Sequence, residues 1–276
     1  MKSINRFIYK NAKEVGLNVV FGTVDVGLKY EILGMFIFVI IWIGVSFIFS
    51  VTPNLEHFRG FAPVPVFKAL GTAAFESRFW VSVWASLKRI GIGIFIAALF
   101  GIPAGIVVGF FPRLRKLTYS PIQFLRMISP LSWMPVAVIV FVNFDSAVDF
   151  LIVMATVWPI ILNTAMGVMN INPQWIKMAL NQGADNVQLL RTIVIPFSLP
   201  YCLTSLRMAL GIAWIVLVPA EFLGVSSGLG YLINDARDTM EYDRLMAMII
   251  AIGILGFILD RILQKIQTAF RYSWVE

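Results

Sequence analysis

A hydrolase or a metalloenzyme gathers histidine, cysteine, aspartate and glutamate in one place. A metal takes several such ligands, and acid–base chemistry takes paired titratable groups. This sequence offers little of that. It has one histidine, His57, between Glu56 and Arg59, and one cysteine, Cys202, at the start of an apolar run. His57 reads as a solvated loop residue and Cys202 as plain packing. No G-x-x-x-x-G-K-[ST] phosphate loop occurs. These residues predict a chain that is not itself an enzyme and carries no metal or cofactor of its own. Two features remain: an arginine, Arg207, inside an apolar run, and a long polar segment at 171–200.

The elements that must position these residues follow from composition. The chain has 276 residues, of which 59% are hydrophobic and 13% charged, and its mean hydropathy is +0.85. A soluble domain is about 25% charged, so this chain has about half the charged surface that water requires. A single cysteine excludes a disulfide scaffold, and the apolar content excludes disorder. An all-α integral membrane protein remains. A helix rising 1.5 Å per residue needs about 20 apolar residues to cross a core about 30 Å thick. Runs at 32–51, 90–111, 127–142, 150–169, 200–220 and 244–259 predict about six transmembrane helices. The third is short and broken by Pro130 and Pro135. No carboxylate falls inside the first four of these runs. Gly101, Gly105 and Gly109, four residues apart, form a face on which another helix can approach closely. Trp80 and Trp84 read as interfacial anchors.

Lysine and arginine set the orientation. Segments 1–31, 112–120, 170–196 and 260–276 fall on one side and carry most of them, while the opposite loops hold Asp145, Asp149, Glu221, Asp235, Asp238, Glu241 and Asp243. Both termini are expected to be cytoplasmic. The net charge of +7 is then accounted for by anionic lipid head groups, and nucleic acid need not be invoked. Segment 1–31, with Ile4, Phe7, Ile8 and Val15 among basic residues, reads as an amphipathic surface helix preceding a membrane domain at 32–276.

The 171–200 segment is patterned. Trp175, Met178, Ala179 and Leu180 predict a short helix, Gly183 a break, and Val187, Leu189, Leu190 and Ile193 a second helical stretch; Pro196 and Pro200 set the entry into the fifth span. A helix–turn–helix with an apolar face in the cytosol calls for a protein partner. The segment resembles the signature loop of ABC-transporter permeases: E-A-A, three residues, G, nine residues, I-x-L-P. Counting from Gly183, the last alanine falls on Ala179, the isoleucine on Ile193 and the proline on Pro196. Ile195 replaces the leucine, and Lys177 and Met178 stand at the glutamate and first alanine positions.

The resemblance extends over residues 60–262. It is nearest to the nitrate, sulfonate, taurine and bicarbonate branch of the binding-protein-dependent permeases. Phe61-Ala62-Pro63-Val64-Pro65 resembles that branch's P-x-P, Ser86-Leu87-Lys88-Arg89 its S-x-x-R, and Pro130-Leu131-Ser132-Trp133-Met134-Pro135 its P-L-x-W-x-P. Trp158-Pro159 precedes the loop; Leu206-Arg207, Trp214, Glu221 and Gly228-Leu229-Gly230 follow it in order. Val140-Phe141-Val142, where many members have W-F-G, leans toward nitrate and bicarbonate.

The resemblance implies a type I importer permease fold with a cytoplasmic coupling helix, in a multi-pass protein of the bacterial inner membrane. It implies a homodimer of permease chains, two cytosolic ATPase subunits that hold the ATP and magnesium, and an external or periplasmic binding protein that delivers a small anionic solute. Ala179, Gly183, Ala184, Ile193 and Pro196 would couple to the ATPase, the lesser alternative for Gly183 being an ordinary interhelix turn. Ser132, Trp133, Asn163 and Thr164 would lie near the pathway or else hold helices together. Arg207 is either an attractive charge for the solute or a structural arginine bonded to carbonyls at a helix break. Glu221, Gly228 and Gly230 would form an outer gate or meet the binding protein. The other class open to such a chain is a secondary, ion-coupled transporter.

Overall fold

A computed structural model describes residues 28–52 and 56–272, and the amphipathic segment expected at 1–31 lies almost wholly outside them. The chain divides into two compact units, residues 1–66 and 67–276. The first holds the helix Leu28–Val51 (α1) and a 3₁₀ turn, Glu56–Phe61. Trp42 donates its indole N–H to the Phe61 carbonyl at 3.0 Å, tying the turn back onto α1. The first expected span falls on α1, where the apolar stretch is Leu33–Ile48. Pro63–Phe75 (α2) leads out of this unit.

In the second unit Ser77–Phe110 (α3), Phe144–Met169 (α6) and Ile195–Ala220 (α9) form the packed centre. Between α3 and α6 the chain runs through Pro112–Met127 (α4), a 3₁₀ turn at Pro130–Trp133 and Met134–Val140 (α5). Pro173–Asn181 (α7) and Asn186–Leu189 (α8) precede α9; Leu229–Asp238 (α10) and Tyr242–Tyr272 (α11) close the order. Among the described residues four stretches, Ser77–Phe110, Phe144–Met169, Asn186–Ala220 and Tyr242–Gln267, are long and apolar enough to cross a membrane. The broken pair Pro112–Met127 and Pro130–Val140 is a fifth if counted as one span. That pair bends by 84°, so the third expected span is not a straight rod. Pro130 and Pro135 lack the N–H that would continue the ladder.

Close approach of α3 and α6 rests on glycine. A Cβ on Gly105 would stand 2.7 Å from the Ile161 carbonyl oxygen, and one on Gly109 would stand 2.8 Å from that of Ala165. The small-residue face read from the sequence is this seam. Around it pack Ile90, Leu151, Ile152 and Leu217 toward one end, Ala97, Ile160 and Ala209 in the middle, and Val168, Ile171 and Val194 toward the other. Large apolar side chains also point outward, including Phe95, Phe100, Ile215 and Phe257. Helices apolar on both faces are what a lipid solvent requires.

Several boundaries differ from the expected ones. The helix expected at 90–111 begins at Ser77, so Lys88 and Arg89 lie within it. The helix expected at 150–169 begins at Phe144, which puts Asp145 and Asp149 in its first two turns. The expectation that spans one to four hold no carboxylate is therefore corrected. Charge ended both apolar runs early, yet the helices continue, and Arg89 and Asp145 pair across them.

Candidate functional site

One end of the bundle carries a buried ionic cluster. Arg89 on α3 and Glu221, in the 3₁₀ turn that follows α9, are 4% and 1% exposed. Arg89 Nη1 donates to Glu221 Oε1 at 2.5 Å and to the Ser227 carbonyl at 2.8 Å, and its Nε donates to Asp145 Oδ1 at 2.8 Å. The Ser86 hydroxyl, one turn before Arg89, donates to Glu221 Oε1 at 2.7 Å and accepts the Leu229 N–H at 2.8 Å. Gly230 N–H donates to Glu221 Oε2 at 2.7 Å. The chain thus wraps the carboxylate. A Cβ on Gly228 would lie 2.5 Å from Glu221 Cδ, and one on Gly230 2.5 Å from the Val218 carbonyl oxygen. Gly228 also has φ +137°, which side chains disfavour. Burial pushes the Glu221 carboxyl above its ordinary value, opposed by the Ser86 hydroxyl, the Gly230 N–H and Arg89. Sequence reasoning grouped Glu221, Gly228 and Gly230; Ser86, Arg89 and Asp145 complete the cluster.

At the other end lies the 171–196 loop. Asn172 caps α7 by accepting the Gln174 N–H at 2.9 Å, with Pro173 in the first turn. Gly183 ends the turn at φ +84°, and nothing lies within 4 Å of where its Cβ would be. Asp185 then starts α8 with a capping box: its side chain accepts the Gln188 N–H at 2.6 Å, and its own N–H donates to Gln188 Oε1. Leu190–Val194 is a π-helical turn that joins α8 to α9, so the helix is continuous through Pro196 and Pro200 rather than starting at the latter. The wider turn stands just before Pro196, whose ring would crowd the carbonyl four residues back in a regular helix. Ala179, Ile193 and Pro196 line a groove of about 660 Å³ together with Trp175, Met178 and Phe197. Ala184 lies at the turn and donates its N–H to the Ala179 carbonyl. Trp175 and Met178 remain exposed, at 48% and 60%.

A larger cavity, about 870 Å³, opens between α4, α6 and α9. Of the residues the sequence assigned to a pathway, Asn163 lines it and donates to the Pro159 carbonyl at 2.9 Å. Thr164 is buried instead, its hydroxyl 3.6 Å from Cys202 Sγ. Trp133 packs against the core beside Leu131, and Ser132 is exposed. Arg207 points elsewhere: Nε and Nη2 donate to Asp260 Oδ1 and Oδ2 at 2.9 and 3.1 Å, a bidentate pair across α9 and α11. Its partner is a carboxylate, not the helix-break carbonyls considered from the sequence.

Residues 101–272 match the family described as binding-protein-dependent transport system inner membrane component. A bicarbonate transport system permease protein from Synechococcus elongatus is 37% identical over 68% of each chain. A putative ABC transporter permease protein from Methanocaldococcus jannaschii is 32% identical over 94% of this chain and 96% of its own. A taurine transport system permease protein from Escherichia coli is 34% identical over 70% of each. Among solved structures, the inward-facing MetNI methionine ABC transporter shares the fold at TM-score 0.51 and 16% identity, over 69% of this chain and 98% of that one. Helices, exposed loop and ordered motifs agree with these matches, and the chain belongs to the family of binding-protein-dependent transport system inner membrane components.

Proposed function

We propose that the chain is the translocation subunit of an ATP-driven importer for a small oxyanion of the nitrate, bicarbonate or sulfonate class. Two copies pair, two cytosolic ATPase subunits seat on their 171–196 loops, and an external binding protein delivers the solute at the end that holds Glu221. The names of the relatives, bicarbonate and taurine permeases among them, support the solute class. The observation that carries the reading is the loop. Helix α7 stands out with its apolar residues exposed, is capped at both ends by its own sequence, and turns at a glycine whose surroundings are open.

That geometry makes α7 a handle. ATP binding closes the ATPase dimer, the handles move with it, and the helices behind them tilt as rigid bodies about the interface between copies. The work comes from the differential affinity of the two states for ATP. Basic residues flanking the loop end, among them Arg113, Arg115, Lys116 and Arg191, support placing it in the cytoplasm, which puts segment 1–31 on the same side.

Gly183→Arg tests the reading. Nothing inside the chain blocks the new side chain, and the backbone strain is about 1–2 kcal/mol, so insertion should survive. Uptake and its coupling to ATP hydrolysis should be abolished in the complex co-expressed with its ATPase and binding protein. Normal uptake by a well-inserted Gly183→Arg variant would remove the loop from the mechanism. A chain that purifies without an ATPase and transports under an ion gradient alone would overturn the importer itself.

A further inference from the structure

The cavity between α4, α6 and α9 has a chemistry that neither the loop nor the buried cluster uses. Its wall carries three cations from one helix, Arg115, Lys116 and Arg126. Arg115, Tyr119, Ile122 and Arg126 recur at helical spacing along one face of α4, so the two arginines stand about 16 Å apart at 1.5 Å per residue. Among the described residues no carboxylate lines this cavity, and none pairs with any of these three cations. Elsewhere in the bundle arginines find acids: Arg89 has Asp145 and Glu221, Arg207 has Asp260, and Arg244 has Glu76. Gln123, between the two arginines in sequence, has a buried Oε1 with no hydrogen-bond partner among the described residues. Turned about its last bond, the same amide offers an N–H to the cavity. Aromatic and apolar walls, Trp158 and Met208 among them, lower the dielectric and focus the field of the cations.

We infer that this cavity is an oxyanion vestibule, in which Arg115 and Arg126 form two successive stations for a small monovalent oxyanion, with Lys116 and Gln123 as the polar groups between them. A guanidinium matches the edge of a planar or tetrahedral oxyanion with two parallel hydrogen bonds, which an ammonium cannot do. Two stations suit passage better than one deep site, because an ion must leave as readily as it enters. Anionic lipid head groups share this chemistry and are the competing source. The inference rests on the importer reading and gives it a site.

The test is uptake by the complete assembly, reconstituted with its ATPase and binding protein, using labelled nitrate, bicarbonate and taurine as separate probes. Vesicles are made either of phosphatidylcholine alone or with added phosphatidylglycerol. Arg126→Gln and Arg115→Gln are each expected to lower uptake of the transported anion about tenfold in both lipid compositions, with Arg126→Lys recovering part of the loss. Uptake equal to wild type in both glutamine variants overturns the vestibule while leaving the importer intact. A loss seen only with phosphatidylglycerol present assigns the cations to lipid and overturns it as well. An assembly that couples ATP hydrolysis to a neutral or cationic solute, and to none of the three probes, removes the anion and keeps the ATPase coupling. Should the glutamine variants fail to assemble, chloride-35 line broadening by the wild-type membrane complex replaces them. Broadening relieved by nitrate is expected, and no broadening overturns the vestibule.

Discussion

Glu221 sits where a carboxylate is expensive, and every group around it answers that expense. Removing one partner of a buried charge pair costs about 3–5 kcal/mol, because the other charge is left without compensation. Glu221→Ala should therefore lower the thermal midpoint of the purified protein sharply, with Arg89 left to the Ser227 carbonyl and to Asp145, a residue whose side chain is 70% exposed. Glu221→Gln should lower it less. The upward push on the carboxyl means that burial costs the ionised form more than its partners return; an amide of the same shape avoids that and keeps one acceptor oxygen, which faces either Ser86 or the Gly230 N–H but not both. Gly228→Ala meets two penalties at once, a strained φ and a Cβ that overlaps the Glu221 carboxylate at 2.5 Å. It should melt at or below Glu221→Gln. A melting series in one detergent ranks all three, and a Glu221→Ala variant as stable as wild type would contradict the cluster's role.

The seam between α3 and α6 is the element on which everything else is mounted. Gly105→Leu would drive a side chain into the Ile161 carbonyl and Thr164. Overpacking of this kind costs about 1–3 kcal/mol, and here the obstacle is backbone that cannot rotate away. Yield of inserted, monodisperse protein should fall, whereas Gly91→Leu, which has open space in the same helix, should leave it unchanged. The glycine spacing that makes this seam was legible in the sequence, as were the helices, because lipid demands long apolar runs. Helix ends were less legible. Arg89 and Asp145 interrupt apolar runs and read as boundaries, yet they pair across 56 residues of chain, and nonlocal pairing leaves no local trace. The capped helix before Gly183 could be read from Asn172, Pro173 and Gly183, since caps are local. Of the α4 cations, Arg115 and Lys116 were visible only as orientation signals in segment 112–120 and Arg126 was not singled out; which face of the helix they occupy, and that no acid among the described residues joins them there, needed the packed neighbours. Arg207 was singled out by its apolar setting, but its partner Asp260 lies 53 residues away on another helix.

At the scale of the whole molecule, the proposed topology, argued from the charge asymmetry, puts the loop and the cluster on opposite sides of the membrane. Asp238→Cys, beyond the cluster, should react with a membrane-impermeant maleimide in intact spheroplasts. Gln182→Cys, beside Gly183, should react only after permeabilisation. The native background is low, because Cys202 is buried. The reverse labelling pattern would invert the topology. The two sites are also joined by one object. The stretch Asn186–Ala220 is 35 residues long, about 52 Å by rise. It begins a few residues after the glycine turn and ends at the residue before Glu221. In the proposed importer it would behave as an oar: the Arg89–Glu221 pair stops the shaft from sliding, and the handle is the cytosolic loop. A stroke at the handle could not then be absorbed by translation, so it would emerge as a tilt of the whole shaft about its pinned end.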